Sequence, residues 1–179
     1  MFKRAKIIEW HFLEKKVVDE MIFRTINPRN RIILELLGRE GMRISEVLKL
    51  TPADIDGRKQ TLRRPKSGKE KEFVYIPLRL SNRITDYIQI QKIGHNEKLF
   101  PISYAGARAM VRKAGSTVDV HLTPHDLRRF AATCASPCGT PIEIVSKVIL
   151  RHANLSTTQR YLGKVSDTEA IRWIENLYA

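Results

Sequence analysis

The stretch TPHDLRRF, residues 123–130, combines a helix start with an unusual pair of cationic groups. Thr123 can cap a helix, a proline follows at the first helical position, and Asp126 stands where a capping-box acid belongs. Within this helix His125 and Arg128 lie three residues apart, so they share one face near the positive end of the helix dipole. The stretch therefore predicts a helix whose first turns can bind an anion.

The same Thr-Pro-x-acid pattern occurs at 51–54 and at 140–143. It predicts a helix start at each place and has no functional meaning by itself. What sets the copy at 123–126 apart is the histidine and arginine that follow the cap. We therefore looked for other stretches with polar groups of the same kind.

The composition favours a polyanionic partner. The chain has 179 residues with 32 Lys and Arg against 19 Asp and Glu, a net charge of +13 and a pI near 10.0. Basic domains of this kind commonly bind phosphate backbones, so a nucleic acid is the expected partner. A membrane is not expected, because no segment reaches the roughly 20 apolar residues of a span. The N-terminus lacks the apolar region of a signal peptide.

The two cysteines indicate reduced thiols. Cys134 and Cys138 are four residues apart, and no other cysteine is present. Such a pair makes a poor zinc site, so no metal is expected. Reduced cysteines suit a cytoplasmic protein, here one associated with the nucleoid.

The apolar periodicity predicts an α+β fold that is mostly α-helical. One small antiparallel sheet or hairpin is expected near residues 55–78, with strands at 61–66 and 71–78 and a turn at 67–70. Helices are expected at 13–26, from Ile32 to Gly41, in a short segment capped by Ser45, at 81–93, 104–114, from Thr123, from Thr140 to Leu150, from Ser156, and at 167–177.

Four stretches carry polar groups that a core would not need. They are GMRISEVL (41–48), RRPKSGK (63–69), TPHDLRRF (123–130) and LRHANLSTTQRYL (150–162). In this order and at this spacing they resemble the boxes of the tyrosine recombinases, the phage-integrase and Xer-like family. The resemblance covers roughly residues 12–163. It implies six catalytic residues, Arg43, Lys66, His125, Arg128, His152 and Tyr161.

The resemblance implies that the Tyr161 hydroxyl attacks a DNA phosphodiester, which gives a 3′-phosphotyrosyl link and a free 5′-hydroxyl. Arg43 and Arg128 would hold the non-bridging oxygens, because guanidinium forks stay charged and bind bidentately. His125 is the candidate base and Lys66 the candidate acid for the leaving oxygen. No metal or cofactor is implied, since arginines supply the charge and the phosphotyrosine bond stores the energy.

Other residues are assigned supporting roles. His152 would donate a hydrogen bond to the phosphate, and Glu46 would orient Arg43 or His125 from behind. Lys69 and Arg151 are expected to contact DNA. Within the hairpin, Lys69 and Lys71 remain alternatives to Lys66 as the catalytic lysine.

Two departures from the family pattern concern the region before the nucleophile. The family usually has Leu-Gly-His where this chain has an arginine, Arg151, and glycine there would permit a left-handed turn. The stretch CASPCGTP (134–141) also looks one residue longer than usual. A local change of the loop is expected, without loss of the chemistry.

Residues 1–179 are expected to form a single catalytic domain, with a lead-in at 1–12 and a tail helix at 164–179. The resemblance starts within about the first dozen residues, so the N-terminal core-binding domain of full recombinases is expected to be absent and the chain to be a catalytic fragment or a minimal recombinase. A homotetramer is expected on DNA, and a monomer or weak oligomer in its absence. Two alternatives stay open, namely DNA relaxation like that of a type IB topoisomerase and a catalytically inactive DNA-binding module.

Overall fold

The computed structural model describes residues 13–63, 70–135, 140–152 and 158. Its helices are α1 (Lys15–Arg24), α2 (Pro28–Gly38), α3 (Ile44–Val47), α4 (Leu78–Gln91), α5 (Tyr104–Ser116), α6 (Pro124–Ala135) and α7 (Ile142–Ile144), which continues as a π-helical turn, Val145–Ile149. Three strands, β1 (Ile55–Asp56), β2 (Lys59–Arg63) and β3 (Lys71–Tyr75), form one antiparallel sheet in that order. The predicted fold class, mostly helical with a small antiparallel sheet, is confirmed.

Helix α2 is the centre of the core. Every residue from Ile32 to Gly38 is buried, as expected for a helix enclosed by other elements rather than lying on the surface. It packs against α1, α4 and α6. Its only buried acid, Glu35, forms ion pairs with Arg83 and Arg39, so its charge is compensated inside the core.

The chain leaves α2 earlier than predicted. The helix ends at Gly38, not near Gly41. Gly41 instead has φ +61°, and a Cβ at this position would lie 3.1 Å from Cγ2 of Ile149. Both the left-handed backbone and the close approach require glycine. This turn brings the start of α3 beside the π-helical turn.

The small sheet places alternate side chains inward. Gln60 pairs with Val74 and Leu62 with Glu72 across β2 and β3, and all four side chains are buried. The predicted hairpin strands are therefore confirmed at 59–63 and 71–75. The tip at 64–69, which includes Lys66 and Lys69, lies outside the described residues.

Two of the three Thr-Pro caps form as predicted. Thr123 donates from its backbone N (2.9 Å) and from Oγ1 (2.6 Å) to Oδ2 of Asp126, at the start of α6. Thr51 does the same to Oδ2 of Asp54 (3.1 and 2.8 Å) and begins a short 3₁₀ turn, Pro52–Asp54.

Two predicted caps are wrong. After Thr140 the backbone of Pro141 stays extended, so α7 begins at Ile142 with proline, which has no side-chain acceptor, in the capping position. Ser45 lies inside α3, whose N-cap is Arg43. The predicted helices from Ser156 and at 167–177 lie outside the described residues. Within the ranges that the structure describes, no helix has both the length and the apolar character needed to cross a bilayer.

Candidate active site

Arg128 on α6 joins three separate segments of the chain. The residue is only 4% exposed. Its Nη1 donates to the carbonyl oxygen of Gly41 and its Nη2 to that of Leu150. One guanidinium thus fixes the turn before α3 and the turn after the π helix against α6.

Glu46 binds both the backbone and the side chain of Arg43. Its Oε1 accepts from Nη1 of Arg43 (2.7 Å), and its Oε2 accepts from the backbone N of Arg43 (2.8 Å) and from Nη2 of Arg151 (2.7 Å). Burial by itself would raise the pKa of Glu46, but the charges of Arg151 and Arg43 outweigh it and lower the pKa below its ordinary value. The carboxylate therefore stays ionised and fixes the guanidinium of Arg43.

His152 leaves the π-helical turn with a defined ring orientation. Its backbone N donates to the carbonyl of Ser146 (2.9 Å), and its Nδ1 lies 2.9 Å from Oγ1 of the buried Thr158. When the Thr158 hydroxyl donates to Nδ1, the proton of the neutral ring is on Nε2. That tautomer suits donation of a hydrogen bond to an anion.

The surroundings of His152 lower its pKa. Burial lowers this pKa to about 4, and the positive charges of Arg128 and Arg43 act in the same direction. Smaller effects come from Arg151 and His125. The hydrogen bonds of Arg128 agree with this, because it binds the carbonyls of Gly41 and Leu150, two residues before Arg43 and His152.

His125 stands at the exposed start of α6. Burial of part of its ring lowers its pKa, Arg129 and Arg128 lower it further, and Asp126 opposes them. The ring is therefore neutral at neutral pH, which is the form that a general base requires.

Arg128 thus holds the segments of Arg43 and His152 against α6, the helix that also carries His125, and Glu46 binds the guanidinium of Arg43. Tyr161, Lys66 and Lys69 lie outside the described residues. Among the described residues, no cluster of three or more His, Cys, Asp or Glu side chains has the arrangement of a metal site.

Arg151 differs from its expected position. Its side chain is 3% exposed and forms an ion pair with Glu46, so it faces the interior of the described fold, whereas a contact with DNA was expected. Its φ of +51° is the left-handed turn that glycine would suit. Two residues near the site were missed from the sequence, Thr158 and Glu72. The alternation of β3 is the signal that could have placed Glu72 inward.

A prediction concerns Glu40, which precedes the Gly41 turn. Burial raises the pKa of Glu40 to about 7, with Arg39 opposing and Glu35 assisting. The folded state therefore keeps a proton that the unfolded chain releases near pH 4.5, and this part of the stability is lost as pH rises through about 7. We expect Glu40→Gln to match the original chain near pH 4, below the unfolded pKa, and to exceed its unfolding free energy near pH 8 by about 2 kcal/mol.

Thermal and urea unfolding of both chains at the two pH values measures this difference. Glu70→Gln, at an exposed position, is the control for loss of one negative charge. Equal pH dependence of the Glu40→Gln variant and the original chain would contradict the raised pKa.

Comparisons with known proteins come from sequence and from structure. A family model described as the phage integrase family matches residues 11–167. The tyrosine recombinase XerC of Staphylococcus aureus (strain JH9) is 30% identical in an alignment 178 positions long. The alignment covers 89% of this chain and 58% of the relative. The chain thus spans less than two thirds of the length of this relative.

Solved structures share the fold. XerA recombinase superposes with a TM-score of 0.76 at 21% identity, over 99% of this chain and 66% of that one. The catalytic domain of bacteriophage HP1 integrase superposes with a TM-score of 0.66 at 22% identity, over 92% of this chain and 95% of that one. At such identities the likeness shows a common fold, and this fold is the one that the sequence resemblance implied.

Proposed function

The chain belongs to the phage integrase family, and from this premise we propose that it is a site-specific DNA recombinase that cuts and rejoins strands through a 3′-phosphotyrosyl intermediate. The observation that supports the proposal is that Arg128 binds the carbonyls of Gly41 and Leu150, so that two arginines and two histidines lie on neighbouring segments. A phosphodiester under attack gains negative charge, and such a group of donors is suited to stabilising it.

Each described residue has a separate task in this reaction. Arg43, oriented by Glu46, offers its guanidinium fork to one or both non-bridging oxygens of the scissile phosphate. Arg128 supplies a second positive charge from within the fold. His152 donates from Nε2 to the same phosphate, because its Nδ1 is already engaged by Thr158.

The remaining steps are proton transfers. His125 is neutral near pH 7 and takes the proton of the Tyr161 hydroxyl as that oxygen bonds to phosphorus. Lys66 gives a proton to the 5′-oxygen as the P–O bond breaks. Rejoining reverses both transfers, with a 5′-hydroxyl attacking the phosphotyrosine. The bond energy is conserved, so no external energy source enters.

The substrate is double-stranded DNA, and we propose that residues 1–179 act as one catalytic domain at the nucleoid. Lys69 at the hairpin tip is assigned to the DNA backbone. The net charge of +13 supplies the electrostatic attraction. Binding should therefore weaken steeply as the salt concentration rises.

Covalent trapping tests the function. Duplexes with a randomised segment and a downstream nick are incubated with the chain, because the short fragment diffuses away after cleavage and prevents rejoining. A 3′-phosphotyrosyl link retains the DNA upstream of the cut. We expect a covalent band on a denaturing gel with 5′-labelled strands and none with 3′-labelled strands.

A covalent band with 3′-labelled strands and none with 5′-labelled strands would overturn the proposed 3′-phosphotyrosyl link. If the chain binds duplexes but gives no covalent band, it is an inactive DNA-binding module. Sequencing the trapped strands reports specificity. Relaxation of plasmids of unrelated sequence at equal rates would instead indicate topoisomerase-like activity.

Assembly on DNA is proposed to be tetrameric, with coupling through the tail at 164–179. This segment lies outside the described residues, and its sequence carries an apolar stripe at Ala170, Ile171, Ile174 and Leu177. In the described part, Ile144 and Val148 are 44% and 40% exposed. Exposed apolar groups of this kind suit packing against the stripe of a neighbouring protomer.

We expect deletion of residues 167–179 to leave a folded monomer that fills two adjacent half-sites without cooperativity. Native gel shifts on duplexes with one and with two half-sites, selected by trapping, measure this. Arg172→Ala, on the face of the predicted helix opposite the stripe, is the matched control. Undiminished cooperativity of the truncated chain would exclude coupling through the tail.

A further inference from the structure

Arg151 has a backbone conformation that favours glycine. Its φ is +51°, and in the described part of the chain the other non-glycine residues with positive φ are Lys92 and Asp119. Those two are exposed, whereas Arg151 is 5% exposed. A side chain with a Cβ is disfavoured in this region, so contacts of the guanidinium must stabilise the turn.

The guanidinium of Arg151 reaches two buried carboxylates on different elements. Nη2 lies 2.7 Å from Oε2 of Glu46 on α3, and Nε lies 3.8 Å from Oε2 of Glu72 on β3. Nη1 donates to the carbonyl of Ile149 (2.8 Å). Arg151 and Glu46 are 105 positions apart in the sequence, so this ion pair joins distant parts of the chain.

Glu46 transmits this contact to Arg43. The carboxylate is held on one side by Nη2 of Arg151 and on the other by the backbone N and Nη1 of Arg43. A carboxylate held from both sides cannot rotate without breaking a charge-assisted hydrogen bond. Loss of Arg151 therefore frees Glu46 and, with it, the guanidinium that Glu46 orients.

We propose that Arg151 is a positioning residue, which holds Glu46 and thereby fixes the guanidinium of Arg43. The same side chain lies within ion-pair distance of Glu72 on β3, without a hydrogen bond between Nε and Oε2. The inference rests on the proposed function in one respect, namely that Arg43 contacts the reacting phosphate.

A direct contact between Arg151 and DNA is the competing interpretation. The side chain is 3% exposed and already has Glu46 as a partner, which argues against it. The two interpretations differ in the salt dependence of DNA binding. A phosphate contact contributes about 0.9 to the slope of log K against log salt concentration, and an internal residue contributes nothing.

A double-mutant cycle tests the positioning role. Single-turnover cleavage of a trapped duplex is measured for the original chain, Arg151→Gly, Glu46→Gln and the double variant. We expect Arg151→Gly to slow cleavage at least about tenfold, even though glycine suits the backbone at this position. The double variant should cleave about as slowly as Glu46→Gln alone, because Arg151 acts through Glu46. Arg151→Lys, which keeps the charge without the fork, should restore part of the rate.

Lys92→Gly is the matched control, since it places glycine at another positive φ without removing a buried ion pair, and it should leave the rate unchanged. Independent, multiplicative effects of Arg151→Gly and Glu46→Gln would overturn the proposal. A salt slope that falls by about one for Arg151→Gly would also overturn it, in favour of a DNA contact.

A readout without DNA separates this inference from the proposed function. The backbone N–H of Arg43 donates to Oε2 of Glu46, so its hydrogen exchange reports whether Glu46 is held. We expect exchange at Arg43 to be at least about tenfold faster in Arg151→Gly and nearly unchanged in Arg151→Lys. If the original chain forms no covalent complex with DNA, the proposed function is wrong. Hydrogen exchange at Arg43 would still show whether Arg151 holds Glu46, because it is measured without DNA. Unchanged exchange at Arg43 in Arg151→Gly would overturn that role.

Discussion

Replacing Tyr161 with phenylalanine is expected to lower the rate of covalent attachment to DNA by on the order of 10⁴-fold or more, because removal of the nucleophile eliminates the chemical step. DNA binding should remain nearly intact, since phosphate contacts and net charge are unaffected. Trapping on 5′-labelled nicked duplexes measures attachment, and a native gel measures binding.

The chain has five tyrosines, so the assignment needs a matched control. Tyr104 is 53% exposed on α5, and Tyr104→Phe should attach to DNA normally. A covalent band of ordinary intensity from Tyr161→Phe would show that another residue is the nucleophile. Mass spectrometry of the trapped peptide would then identify it.

Replacing Arg128 with alanine is expected to damage both catalysis and folding. Cleavage should slow by roughly 10²-fold or more, because a positive charge close to the developing anion is lost. The free energy of unfolding should fall by about 2–4 kcal/mol, because the carbonyls of Gly41 and Leu150 lose their buried charged donor. Single-turnover rates and urea unfolding measure the two effects.

Arg43→Ala separates the effect on the cleavage rate from the effect on stability. The Arg43 side chain is 24% exposed and pairs with Glu46, so it should show a comparable loss of rate with a smaller loss of stability. Arg128→Lys should recover stability only in part, because an ammonium cannot span both carbonyls with a planar fork. A change in rate below about threefold for either alanine variant, measured where the variant is folded, would count against the site.

Local signals in the sequence predicted most of the fold. The cap at Thr123 and the strand that begins at Lys71 depend on neighbours within a few residues, and both are present in the structure. The cap at Thr140 failed for an equally local reason, because Pro141 itself stays outside the helix. Helix α2 ended before Gly41 because the turn there must fit against Ile149, a residue more than a hundred positions away.

The site was predicted from spacing and resemblance, and its internal contacts were not. The order of boxes indicated that Arg43, His125, Arg128 and His152 meet. It did not predict that Arg128 binds two backbone carbonyls, because every residue has a backbone carbonyl and the sequence does not show which ones accept a hydrogen bond. The pairing of Arg151 with Glu46 was missed for another reason, because an ion pair between such distant positions depends on the completed fold.

The π-helical turn at 145–149 has a consequence for how related chains are found. It closes with the N–H of Leu150 bonded to the carbonyl of Val145 (2.8 Å), and the N–H of His152 bonded to that of Ser146 (2.9 Å). The first closure is one residue wider and the second two residues wider than the i→i−4 closure of an ordinary α-helix. A turn of this kind can hold an extra residue while the ends of the helix stay in place. Genes with one codon more or fewer in this segment can therefore encode the same arrangement around His152. A search pattern with a fixed interval between Arg128 and His152 would overlook them.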